Sequence, residues 1–167
     1  GLEITLEKFF SRGYYLLLTT SVFDSKYTAF DGIERNTSFN GNYVANILGG
    51  YEFKTGKHSA MTIDLKAVWA GGKRFTPIDV EKSFTEKETV YKYKQSYEKK
   101  HDDYFKVDLR IGFRINGKKI NQEWALDLKN ISNHQNIFMQ SYDPATNSIT
   151  TDYQQGFFPM MLYRIQF

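Results

Sequence analysis

The chain has 167 residues, among them 14 Phe, 12 Tyr and 2 Trp, yet its mean hydropathy is −0.53 and 25% of its residues are charged. That aromatic content excludes an intrinsically disordered chain, and no apolar run approaches the roughly 18 residues of a membrane helix. With no cysteine there is no disulfide, thiolate metal site or Cys nucleophile, and a net charge of +3, from 22 basic and 19 acidic residues well mixed, gives no sign of nucleic-acid binding.

In chain order, residues 1–10 and 13–26 read as strands flanking Ser11-Arg12-Gly13. The facing of the second is ambiguous, because Leu16, Leu17 and Leu18 are consecutive. A long connection, 27–41, follows. Residues 42–54 and 59–70 flank Thr55-Gly56-Lys57, and Met61, Ile63, Leu65, Ala67 and Trp69 alternate with Thr62, Asp64 and Lys66. The connection 72–103 carries 8 Lys/Arg and 7 Asp/Glu in 32 residues, so it is expected to be solvated and mobile. A short helix around Glu86–Glu98 is allowed there but poorly patterned.

The clearest strand is 104–116. Phe105, Val107, Leu109, Ile111, Phe113 and Ile115 fall on one face, and Lys106, Asp108, Arg110 and Arg114 on the other. Asn116-Gly117, the strongest hairpin dipeptide because both turn positions need positive φ, leads into a strand at 119–131. In it Trp124, Leu126 and Leu128 oppose Ala125, Asp127 and Lys129. The connection 132–156 holds Asp143-Pro144 and is expected to form an extended hairpin with arms 136–142 and 148–153. A last strand, 157–167, ends the chain.

Seven strands thus alternate short turns with long connections, the reverse of a compact soluble domain, where connections above about 12–15 residues are uncommon. Short turns at one end and long loops at the other mark transmembrane β-barrels, whose strands turn apolar residues to lipid and polar ones to the lumen. On that reading the lipid-facing residues are Phe105, Val107, Leu109, Ile111, Phe113, Trp124, Leu126, Leu128, Ile63 and Leu65. The lumen-facing candidates are Asp64, Lys66, Lys106, Asp108, Arg110, Arg114, Asp127 and Lys129. Alternatively these charges form a solvated or plug-facing wall that pairs across strands. A soluble sandwich or lipocalin-like ligand-binding barrel would show the same alternation with its apolar face inward.

The final residues, with Phe167, Ile165, Tyr163 and Met161 alternating with Gln166 and Arg164, resemble the C-terminal β-signal that the barrel-assembly machinery reads in bacterial outer-membrane proteins. Bacterial single-chain barrels have even strand counts from about eight upward. Seven strands place Gly1 at the long-loop end, so the expected architecture is the C-terminal part of a larger barrel.

The stretches GLEITLEKFFSRGYYLLLTTSVFDSKY, RNTSFNGNYVANILGGYEF, AGGKRFTPID, DYFKVDLRIGFRIN, EWALDLKNISNHQN and QGFFPMMLYRIQF together resemble the C-terminal barrel strands of TonB-dependent outer-membrane receptors of the Bacteroidetes type. The resemblance implies an all-β antiparallel barrel of about 22 strands with a plug domain in its lumen. It also implies active import of a siderophore, cobalamin, glycan or peptide, energised through TonB, with a surface lipoprotein lid in glycan-importing relatives. Loops 27–41, 72–103 and 132–156 would be extracellular. The family's plug and TonB box match nothing in these residues, and no ligand-binding residue carries over.

Other features read as structural. His58 lies by a short turn, and His101 and His134 in long connections, so they are expected to be surface histidines rather than a metal site. There is no GxSxG elbow, and Gly49-Gly50 and Gly71-Gly72 lack the signature of phosphate loops. Neither enzymatic activity nor a cofactor is expected.

Overall fold

The computed structural model describes residues 1–167. In chain order it contains β1 (Leu2–Ser11), β2 (Tyr14–Val22), β3 (Lys26–Thr28), β4 (Glu34–Asn36), β5 (Tyr43–Lys54), β6 (Ser59–Ala70) and β7 (Arg74–Phe75). Helix α1 (Val80–Glu86) and a 3₁₀ turn (Tyr93–Gln95) come next, then β8 (Lys99–Lys100), β9 (Tyr104–Asn116), β10 (Asn121–Lys129), β11 (Ile137–Asp143), β12 (Ser148–Tyr153) and β13 (Phe158–Gln166).

The seven long strands form one antiparallel sheet in the order β1-β2-β5-β6-β9-β10-β13. Each pairs with its neighbours along the chain, as a meander must. β1 and β13 are each paired on one side only, so the sheet is open. Pro159, which has no N–H to give a ladder, sits in the edge strand β13. Of 96 main-chain hydrogen bonds, 71 lie within helices and strands, so the inner strands satisfy one another's polar groups.

The register settles which way β2 faces. Leu6 opposes Leu18 and Lys8 opposes Leu16, whereas Leu17 opposes Glu7. Directly opposed residues share a face, so Leu16 and Leu18 lie with Leu2, Ile4 and Leu6, and Leu17 lies on the polar side with Tyr15.

Three boundaries differ from the sequence expectation. The strand expected over 13–26 ends at Val22, and Lys26–Thr28 instead pairs with Glu34–Asn36 in a separate hairpin. The strand expected over 119–131 is shorter, Asn121–Lys129. Asn116-Gly117 is not the two-residue turn its composition suggested. Asn116 still pairs with Asn121, Gly117–Ile120 form a four-residue loop closed by the Gly117 N–H donating to Ile120 O at 3.0 Å, and neither Asn116 nor Gly117 has positive φ. The tight turn with two positive φ angles is Arg12-Gly13, at 55° and 85°. Lys118 and Lys119 make the longer loop soluble, so nothing forces the tighter one.

The sequence expectation for the connection 72–103 is a solvated, mobile segment in which a short helix around 86–98 is allowed but poorly patterned. The connection contains β7 paired with β8, helix α1 and a 3₁₀ turn. The helix starts earlier because Asp79 caps it, accepting the Lys82 N–H at 3.3 Å, with Glu81 in the first turn favouring the positive helix end. The 132–156 connection forms the expected hairpin, with arms β11 and β12.

Every long connection leaves the same end of the sheet, and every short turn lies at the other. Only 11 of 167 residues are buried, and of these only Ala60, Ile78, Ala125 and Tyr142 are hydrophobic. The sheet has no second layer packed on its apolar face. Most burial lies in the cap built by the three connections.

Candidate functional site

The eight polar candidates fall on one face of the sheet. Asp64 opposes Arg110, Lys66 opposes Asp108 and Arg110 opposes Asp127, so strands β6, β9 and β10 align them side by side. Arg110 bonds Glu123 at 2.8 Å and Asp127 at 3.2 Å, Arg164 reaches Glu123 at 3.4 Å and Arg114 reaches Glu52 at 2.5 Å. Asp108 takes Lys106 at 3.4 Å and Lys129 at 3.9 Å. Asp64 is tied instead to Tyr15, whose hydroxyl donates to it at 2.8 Å. Lys66 has no carboxylate partner. Seven of these side chains (Tyr15, Asp64, Lys66, Asp108, Arg110, Asp127 and Lys129) border a cavity of about 300 Å³. The charges largely neutralise one another, which is what a stable polar wall requires and a charged-ligand site does not.

The opposite face gathers Ile63, Leu65, Phe105, Val107, Leu109, Ile111, Phe113, Trp124, Leu126 and Leu128, as the registers of β6, β9 and β10 require. Trp124 sits between Phe113 at 6.3 Å and Tyr163 at 5.3 Å, an aromatic row near the short-turn end. Met161, Tyr163, Ile165 and Phe167 continue this face at the edge, and Met161 and Phe167 are almost fully exposed. One cation reaches it: Lys8 lies over the Tyr14 ring at 3.5 Å and donates to the carbonyls of Ser11 and Tyr14, both at 3.0 Å. The lysine thus covers apolar surface with its stem and carries its charge to the turn.

The loop cap is held by polar anchors. Asn40 is fully buried and donates to Asp24 at 2.7 Å and Asn36 at 2.8 Å, which holds the Asp24 carboxyl below its usual range. Asn130, also fully buried, donates through its side chain to the carbonyls of His134 and Gln155, at 3.0 and 3.2 Å, while its N–H donates to Asp108 at 2.8 Å. Asn136 pairs with both main-chain groups of Phe105, each at 2.9 Å, and so docks the third connection on β9. Asp103 accepts from the Tyr43 hydroxyl and from the Gly72 N–H at 3.1 Å, and the Tyr43 hydrogen bond above all holds its pKa low. Asp103 therefore ties the second connection to β5. At that base Gly41 and Gly71 pass so closely that a Cβ on either would strike the other's carbonyl.

The connections also grip one another. The Arg74 N–H donates to Ser38 O and its Nε to Asn40 O, both at 2.9 Å, and the Tyr142 N–H donates to Thr89 Oγ1 at 2.9 Å. Between them lie two cavities of about 440 and 500 Å³ that share Lys73, His101 and Phe138. The first is lined by Phe75, Tyr91, Tyr93 and Tyr97 as well. Phe75 stacks on His101 with centroids 4.1 Å apart, and burial pushes the His101 pKa down. None of these residues is among the sequence candidates. The available signal was the spacing of Tyr91, Tyr93 and Tyr97 within an otherwise charged stretch, which its charge count obscured.

His58 lies in the turn before β6, while His101 and His134 belong to the cap. No group of three His, Asp or Glu side chains is arranged to hold a metal ion, and no helix is long and apolar enough to cross a membrane. No family model, curated protein or solved structure matches the chain.

Proposed function

We infer that this chain is the C-terminal barrel portion of a TonB-dependent outer-membrane receptor that imports a scarce nutrient by active transport. One observation carries the reading: a two-faced, seven-stranded sheet leaves its apolar face uncovered by the rest of the chain and gathers all its long connections at one end. In water, an apolar face of that extent exposes far more contiguous hydrophobic surface than a soluble monomer tolerates, whereas in lipid it is the required surface. The paired charges opposite it suit a wall facing an aqueous lumen or a polar plug. The remaining strands, the plug and the TonB contact belong to other residues of the full receptor. The barrel-assembly machinery and, in a glycan importer, a surface lipoprotein are its expected partners. A soluble lipocalin-like barrel would need a chain layer or a closed interior over the apolar side chains, and no observation favours it.

The absence of cysteine makes the test direct. Single cysteines at Ile111 and Leu126 should react with a lipid-soluble maleimide and resist a water-soluble one. A cysteine at Tyr93 should react from outside intact cells. Equal reaction of all three in a soluble extract would overturn the assignment. Deleting Phe167 should slow outer-membrane assembly, and unchanged surface levels would remove its β-signal role.

A further inference from the structure

We propose that the groove between the three long connections binds a small molecule with a flat aromatic body and a carboxylate. The ligand chemistry rests on the loop geometry. Only its role as first contact for an imported solute rests on the receptor reading above.

Size and shape come first. The two cavities meet at Lys73, His101 and Phe138, and their volumes of about 440 and 500 Å³ match those of small-molecule sites, which run from about 300 to 1,000 Å³. The walls present flat apolar surface that the chain itself leaves uncovered. Phe138 is 60% exposed and Tyr93 is 72% exposed, although both lie in a cap that encloses Asn40 and Asn130 completely. Tyr93 meets Tyr91 edge-on at 6.3 Å, and the Phe75–His101 stack stands beside them. Such ring faces select a planar π-system by offset or edge contact.

Charge supplies the second half of the ligand. Arg35, Arg110, Arg114 and Arg164 each hold a carboxylate. Arg74 holds none: it donates only to the main-chain carbonyls of Asn40 at 2.9 Å and Glu98 at 3.3 Å, so its remaining N–H donors have no protein acceptor. Lys73 also lacks a carboxylate, and its ammonium lies 5.4 Å from the Phe39 ring. The first cavity has no acidic lining residue, and the one carboxylate bordering the second, Asp102, makes no ion pair with Lys73. Lys73 and Arg74, neither in a direct ion pair although Asp24 lies within the field of Arg74, are complementary to an aromatic anion beside these unfilled aromatic walls. They are unsuited to a cationic ligand and give a neutral one no reason to prefer this groove.

The test uses the complete polypeptide that carries this chain, purified in detergent, with 2-naphthoate as probe and uncharged 2-naphthylmethanol as its counterpart. Equilibrium dialysis against matched protein-free micelles removes partition into detergent. Naphthoate should bind saturably and about tenfold more tightly than the alcohol, the scale of one charge-assisted contact. Lys73→Gln should weaken naphthoate about three- to tenfold and leave the alcohol unchanged. Tyr93→Ala should weaken both. Lys118→Gln, in the exposed hairpin loop at the opposite end of the sheet and outside all three cavities, should change neither. No saturable naphthoate binding, equal affinity for the two probes, or an equal loss in the Lys118 and Lys73 variants would overturn the proposal. Cysteine labelling on the same preparation reports the membrane placement separately, so a failed receptor reading and a failed ligand site give different results.

Discussion

In the sheet, Leu2, Ile4 and Leu6 stand 68%, 62% and 58% exposed, whereas in the connections Asn40, Asn130 and Ser83 are completely enclosed. The usual distribution of side chains is inverted between the two regions. The sheet derives its order from main-chain ladders and cross-strand pairs, in which the apolar side chains of one face shield one another only in part. The cap derives its order from buried amides and hydroxyls that satisfy loop carbonyls and N–H groups, because irregular backbone has no ladder of its own. The sheet thus leaves its apolar face uncovered by the rest of the chain, while the connections enclose polar groups.

The largest effect should come from setting a charge on the apolar face. Leu109→Arg should cost about 2–4 kcal/mol of folding free energy in phospholipid vesicles if the site lies near the midplane, measured by denaturant-dependent folding. Tyr93→Arg in the cap, where the side chain is already exposed, should stay within about 0.5 kcal/mol. Equal costs at the two sites would erase the distinction between sheet and cap.

Next in size is a cap anchor. Asn130→Ala removes two side-chain donations and the acceptor for Ser132, which bonds it at 2.9 Å. Orphaning those buried groups should cost about 1–3 kcal/mol. Hydrogen exchange should rise in 130–157 and stay low in β5 and β6, since the ladder does not depend on this amide. A uniform rise would show that cap and sheet open as one unit.

A smaller effect is expected within the polar wall. Arg110→Gln removes the cation shared by Glu123 and Asp127 and should cost about 1 kcal/mol, because all three groups keep some contact with solvent. That loss should shrink in high salt. A loss several times larger would mark the wall as a sealed interior.

The smallest effect is a pH response at the base of the cap. The Tyr43 hydroxyl holds the Asp103 carboxyl below its ordinary range, so the folded pKa is depressed relative to the unfolded one. The stabilisation is therefore full above the unfolded value of about 3.9 and disappears as pH falls through the folded value. Exchange in 72–103 should quicken below about pH 3.9 in the wild type, and Asp103→Asn should flatten that response. An identical acid response in the variant would remove Asp103 as the tie.

Much of the sheet was legible in the sequence, and for a simple reason. A strand with unlike media on its two faces must alternate, and the alternation of 104–115 carries both its extent and its facing in consecutive residues. Where alternation failed, so did the reading: three consecutive leucines at 16–18 left β2 ambiguous until pairing with β1 put Leu17 on the polar side. Asn116-Gly117 shows the limit of local turn chemistry, since the pairing of Asn116 with Asn121 imposes a longer loop. The eight polar wall residues were likewise readable, because parity along each strand needs no knowledge of the neighbouring strand.

The cap was not legible, and its contacts explain why. Asp103 meets Tyr43 across 60 residues, Arg74 meets Asn40 across 34 and Tyr142 meets Thr89 across 53. No period links such positions, and charge counting turned an organised segment into an apparent polyampholyte. The sequence by itself determined an all-β meander with one apolar and one polar face, because the medium on each face acts on every second residue. Only the tertiary structure decided which aromatics and cations of the three connections meet in one groove, because those contacts are made by side chains distant along the chain.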